Sequence, residues 1–376
     1  MKNMPEETRL HRNKSGLRLG LRPDEKMNPV RKESRFSNGV SISIFPALIF
    51  ISTTIFMVGC NQLLIKPAPR ELNVPDVNEP RIEAIRILQD GLADSDPMMR
   101  ANAIEAVAAT RQVKLIPKVQ RLINDEFVPV RFAAALAIGD LEYRLGGNSI
   151  RQLLKDKDIN VKIAASYAMA KLGNTEYLEV LRKAILNNDQ TVRANAALLL
   201  GKSGDKTALK LLYRALQDKN SDDKVVYQAA ESIARLGDER IYQKLWSMLI
   251  SAYADVRVMG TKAMGALGTA EARNALTTML DDELLDVRLV AAEQLGMLKD
   301  PAGEPEVLDV FKKNLTAGLD KKSRERANVL TAMAIGQIRT PSLIKFLPEL
   351  LKDESKFVRI AAAKAVLQST AKQRPL

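Results

Sequence analysis

The chain repeats itself. Aligned on Met99, Val130, Val161, Val192, Val225, Val256, Val287, Ala327 and Val358, the sequence returns to one pattern at intervals of 31, 31, 31, 33, 31, 31, 40 and 31 residues. A period of this length means stacked supersecondary units, none of which can bury its apolar face alone. Four residues past each anchor stand Ala103, Ala134, Ala165, Ala196, Ala229, Gly260, Ala291, Thr331 and Ala362, all small. Eight past are Val107, Ile138, Met169, Leu200, Ile233, Met264, Leu295, Ile335 and Val366, all large and apolar. Nine past are Ala or Gly in eight units, and Leu367 in the last. Offsets 0, 4 and 8 fall on one face of a helix, so each anchor opens a helix with a buried stripe.

A second amphipathic segment precedes each anchor, as in Arg81–Leu92, Tyr177–Leu186, Ala208–Leu216 and Leu343–Leu351. Short polar turns join the two, for example Asp94-Ser95-Asp96-Pro97. Each unit is therefore a helical hairpin, and the expected fold is all-α: a solenoid of nine hairpins over residues 81–376, with no sheet. The long interval before Ala327 requires an insertion of about nine residues near Pro301–Pro305 or Ala317–Lys322. The composition agrees, since only 5% of residues are aromatic while 46% are hydrophobic. Trp246 follows the first-helix pattern and is expected in the core.

Asp189-Gln190-Thr191-Val192-Arg193, then Ala196-Ala197, Leu200-Gly201 and Gly204-Asp205, resembles the HEAT-like repeats of the phycobilisome-lyase type. The resemblance covers roughly residues 81–370. It implies an α-solenoid and, in such repeats, a ladder of Asp and Arg between neighbouring units. Here the acids three residues before the anchor (Asp96, Asp158, Asp189) are expected to pair with the basic residue after it (Arg100, Lys162, Arg193). The resemblance does not fix an activity, because one repeat fold serves many functions.

The N-terminus reads as an address. Arg31, Lys32 and Arg35 precede an uncharged run from Phe36 to Ile65 whose apolar part ends Met57-Val58-Gly59-Cys60. A basic region, an apolar region and then small residues is the order of a secretory signal, and the last four residues resemble a bacterial lipobox. The expectation is a signal peptide over 1–59, with translation from Met27 as an alternative start, and a lipidated Cys60. An uncleaved membrane anchor is the competing reading. Residues 60–80, with Pro67, Pro69, Pro75 and Pro80, are expected to form an extended tether.

Cys60 is the only cysteine and His11 the only histidine. A Cys/His metal site is excluded, and a chain cleaved before Cys60 loses the commonest general base. No cofactor and no metal are expected. The net charge is +12, but residues 1–59 hold ten Lys/Arg against five Asp/Glu, which leaves only +7 beyond them. That is a weak footprint for nucleic acid. Asp281-Asp282-Glu283 lacks the oxygen spacing of a calcium loop.

Ten residues past three successive anchors stand Lys171, Lys202 and Arg235, with Tyr167, Asn195, Gln228 and Glu231 nearby. On the concave side of a stack they would form an exposed cationic row for a partner. The function expected from all this is a non-enzymatic lipoprotein scaffold, anchored outside the cytoplasm, that binds another protein and takes no small-molecule substrate. The alternatives are a bilin-lyase- or isomerase-like enzyme and a nucleic-acid-binding solenoid.

Overall fold

The computed structural model describes residues 78–370. Cys60, the signal segment, most of the tether and the last six residues lie outside them. Helical hairpins follow one another as the period requires. In chain order they are α1 (Asn78–Gly91) with α2 (Pro97–Ala109), α3 (Ile116–Arg121) with α4 (Val128–Asp140), and α5 (Gly147–Leu153) with α6 (Ile159–Lys171). Next come α7 (Leu178–Ala184) with α8 (Gln190–Ser203), α9 (Leu209–Gln217) with α10 (Asp223–Arg235), and α11 (Tyr242–Leu249) with α12 (Ala254–Leu267). The last three are α13 (Ala270–Thr278) with α14 (Leu285–Met297), α15 (Glu304–Lys312) with α16 (Lys321–Ile338), and the split pair α17 (Pro341–Ile344) and α18 (Leu347–Leu350) with α19 (Lys356–Ser369). No strand occurs among the described residues.

The helical body begins at Asn78, slightly earlier than expected. Pro80 sits in the first turn of α1, where its missing N–H has no intrahelical partner to lose. The insertion lies at the second expected place. Residues 313–320 form an added loop, and α16 runs 18 residues where the other second helices have 13 or 14.

Each second helix packs on the next, α2 on α4 and so on through α16 on α19. Then α19 packs back on α1 and α2. The nine units therefore close into a ring, with second helices inside and first helices outside. An even ring of nine turns about 40° per unit, a rotation that each interface must supply.

Closure explains the small residues. Inner helices crowd on a tighter circle than outer ones, so they need close approach. A Cβ added at Gly201 would stand 2.8 Å from the Ser232 backbone Cα of the next inner helix, and one at Gly139 would stand 2.9 Å from Ala168 Cα. The anchor stripe does its expected work on the other face: Val130, Ala134 and Ile138 are all fully buried. Trp246 departs from expectation. It lies on the outside of α11, 36% exposed, stacked on Tyr242 with ring centroids 6.5 Å apart.

Candidate functional site

All inner helices start on one rim of the ring, here the N-edge, and end on the other, the C-edge. The N-edge carries the ladder. Arg100 Nε and Nη2 each reach an oxygen of Asp125 in the next unit at 2.8 Å, while Nη1 donates to the carbonyls of Asp94 and Ser95. Arg131 treats Asp156 in the same way, and Arg257 makes the same fork on Asp282. Arg193 reaches Asp218 and Ser221. One guanidinium thus ties its own turn to the neighbouring one through paired, charge-assisted bonds.

The expected acids are not the partners. Asp96, Asp158 and Asp189 instead accept from backbone amides as N-caps of α2, α6 and α8. Their short side chains are committed to the helix start, so the ladder uses acids further back in the turn. Among the described residues Lys162 has no ion-pair partner, because the position that holds the ladder acid in the other turns is Asn187 here. Burial pushes the Asp156 carboxyl up, but bonds from Arg131 and the Asp158 amide outweigh it and hold its pKa below the usual value.

The inside of the ring overturns the expected cationic row. Lys171 pairs with Glu142, Lys202 with Asp140 at 3.0 Å, and Arg235 with Glu231. The Lys202 side chain is only 2% exposed and Tyr167 is fully buried. Tyr167 donates to Asp140 at 2.7 Å, and its pKa is pushed well up by burial and then by that carboxylate. Asn195 bonds Asn160 of the previous inner helix, and Gln228 points to Glu231. These side chains face a filled interior and do not offer a surface.

One pair skips a neighbour. Lys202 on α8 reaches past α6 to Asp140 on α4. Six residues past the anchors, Glu105, Tyr167, Glu231, Lys262, Glu293 and Lys364 all point inward. Glu293 on α14 is buried, which raises its pKa, and it feels both Lys262 of α12 and Lys364 of α19. Only a closed ring brings these residues together. Two residues past the anchors the lining is apolar instead, with Phe132, Ile163, Tyr227, Leu289 and Ile360. The lumen is thus an apolar layer toward the N-edge over a layer of charged side chains, several of them paired as Lys202–Asp140, Arg235–Glu231 and Lys364–Glu105.

The exposed large apolar side chains lie on the rims and the outside. On the N-edge, at the turns, are Phe127 (40%), Ile159 (40%), Leu186 (52%), Ile250 (68%), Tyr253 (45%) and Leu284 (42%). Sequence periodicity missed them, because each sits outside the helical stripes. Among the described residues no group of His, Cys, Asp and Glu is placed to hold a metal, and no helix is long and apolar enough to cross a membrane.

The family model for HEAT repeats matches residues 85–149, 119–193, 147–234 and 184–259. Residues 85–259 belong to the HEAT-repeat family. The remaining units continue the same hairpin period to residue 370. No curated protein matches the chain. Among solved structures, the chain is similar to the complex of CpcE and CpcF of phycocyanin lyase from Nostoc sp. PCC7120, at 19% identity. That match covers 65% of this chain and 97% of the other, with a TM-score of 0.41. It is also similar to human deoxyhypusine hydroxylase in complex with glycerol, at 18% identity over 69% of this chain and 96% of that one, with a TM-score of 0.36. A third similar structure is Kap121p, at 14% identity over 77% of this chain and 37% of that one, with a TM-score of 0.31.

Proposed function

We propose that this HEAT-repeat ring is a lipoprotein scaffold, lipidated at Cys60, held outside the cytoplasm on a bacterial membrane, and binding a partner protein on its N-edge. The supporting observation is the set of exposed apolar side chains recurring at the turns from Phe127 to Leu284. Apolar residues gathered on one rim mark an interaction surface more often than scattered ones do. A non-enzymatic role is favoured because several inward-facing ionisable groups are committed to one another, as in Asp140–Lys202 and Glu105–Lys364. Groups neutralised in pairs are poorly placed to move protons for a substrate.

Two experiments test this reading. Metabolic labelling with a fatty acid should mark the wild-type protein, and Cys60→Ala should abolish the label and leave the precursor uncleaved. In pull-downs from detergent-solubilised membranes, Ile250→Glu with Leu284→Glu should lose a partner that the wild type recovers, while circular dichroism stays unchanged. A label that survives Cys60→Ala rejects the anchor. Undiminished recovery by the double variant rejects the N-edge.

A further inference from the structure

We propose that the C-edge of the first three units is a docking surface for an anionic lipid bilayer. Ile82, Val113 and Leu145 would enter the interfacial layer, and Arg111, Lys114 and Arg144 would meet lipid phosphates.

The argument begins with recurrence. Ile82 lies near the start of α1, and Val113 and Leu145 lie in the 3-10 turns that open the next two outer helices. They occupy the same end of successive units, and α3 and α5 touch through Gln120 and Ser149 at 2.7 Å. Their exposures are 66%, 63% and 79%. A single exposed apolar residue needs no explanation, whereas three at the same end of three successive units do. Their neighbours in the same turns are buried, with Leu115 at 3%, so the outward residues are surplus to the core.

Charge completes the pattern. Arg111, Lys114 and Arg144 are exposed around this row. Of the carboxylates on the same rim, Glu83 is engaged by Arg86 and Glu142, though exposed, by Lys171; Glu79, and Glu176 in the next turn along, are exposed as well. Apolar residues rimmed by cations suit the headgroup boundary of an anionic membrane.

Connectivity points the same way. Arg81 donates to Thr370, so α1 begins where α19 ends, on the C-edge. Residues 61–77 are all that separates α1 from Cys60, a reach of at most about 55–60 Å when fully extended. The surface therefore lies on the rim through which the chain leads to its lipid, which rests on the lipidation reading above. The N-edge then faces away from the bilayer, free for a partner.

The test separates the two readings. A chain beginning at residue 61 lacks Cys60, and it folds alone because the ring buries its own core and closes on itself. It is sedimented with phosphatidylcholine vesicles, with and without phosphatidylglycerol. Binding is expected on the anionic vesicles and should weaken with added salt. Val113→Asp with Leu145→Asp should lower the partition about tenfold or more, and Arg111→Glu with Lys114→Glu and Arg144→Glu should remove the salt-sensitive part. Trp246→Asp, on the outer face of α11 and in neither rim surface, should leave vesicle binding unchanged. No binding at low salt, or binding indifferent to the C-edge variants, overturns the docking surface. Either result leaves lipidation standing, because that is read from the label on Cys60.

Discussion

Lys364 Nζ donates to Glu105 at 3.0 Å, joining the last inner helix to the first across 259 residues of sequence. Around it, Lys356 reaches Asp94 at 2.7 Å, and Ile360 stands where a Cβ on Gly91 would meet it at 3.2 Å. The seam is thus built like the other interfaces, from a packed apolar surface with ion pairs set into it.

Removing one partner of that pair should be costly. Lys364 and Glu105 side chains are only 6% and 14% exposed. Lys364→Met strands a carboxylate in the lumen, at an expected cost of about 3 kcal/mol in urea unfolding. Adding Glu105→Leu should recover most of the loss, since a well-packed apolar pair serves nearly as well. A double variant no more stable than the single one would show that the pair is not the relevant contact.

Charge reversal inside the ring should unfold it. Lys202→Glu sets a carboxylate against Asp140 in a site with almost no solvent. A loss of roughly 3–5 kcal/mol is expected, visible as a large drop in melting temperature. An exposed cationic row, as first expected from the spacing, would tolerate the change with almost no loss.

Close approach can be tested at Gly201. Leucine there must displace the Ser232 backbone, which a Cβ alone would meet at 2.8 Å. Overpacking should cost about 1–3 kcal/mol or more. Leucine at Lys210, exposed on the outer helix α9, should leave the melting temperature unchanged.

Glu293 gives the ring a pH signature. Burial raises its folded pKa above its unfolded value. A carboxyl raised in this way costs stability as pH climbs from the unfolded pKa through the folded one, because ionisation is harder in the fold. Glu293→Gln should therefore stabilise the ring at pH 7.5 and do little near pH 4. Thermal melts at the two pH values check this. Equal effects at both would mean that Glu293 ionises as freely in the ring as in the unfolded chain.

The sequence shows the hairpins because helical pattern is local: stripes at offsets 0, 4 and 8 sit within one helix. Closure is not local. It depends on a small rotation repeated at every interface, and no single unit displays it. Its one trace in the pattern was Leu367, where other units have Ala or Gly. The ladder was legible on its arginine side and misread on its acid side. An Asp three residues before an anchor is close in sequence, but N-cap geometry aims it at the amides of its own helix. Lys202 was misread for a different reason. Lysine is rarely buried, and its partner Asp140 comes from an inner helix two units away.

A linear array of repeats has two ends, and its terminal units fray first, because each lacks a neighbour on one side. This ring has none: α1 and α19 serve as each other's missing neighbour. Unfolding must then begin by breaking two interfaces at once, wherever it starts, so the array should melt as one cooperative unit. The same geometry fixes the copy number. A solenoid can gain or lose a unit and merely change length, but this one cannot, since the angle between neighbours has already been spent on coming full circle.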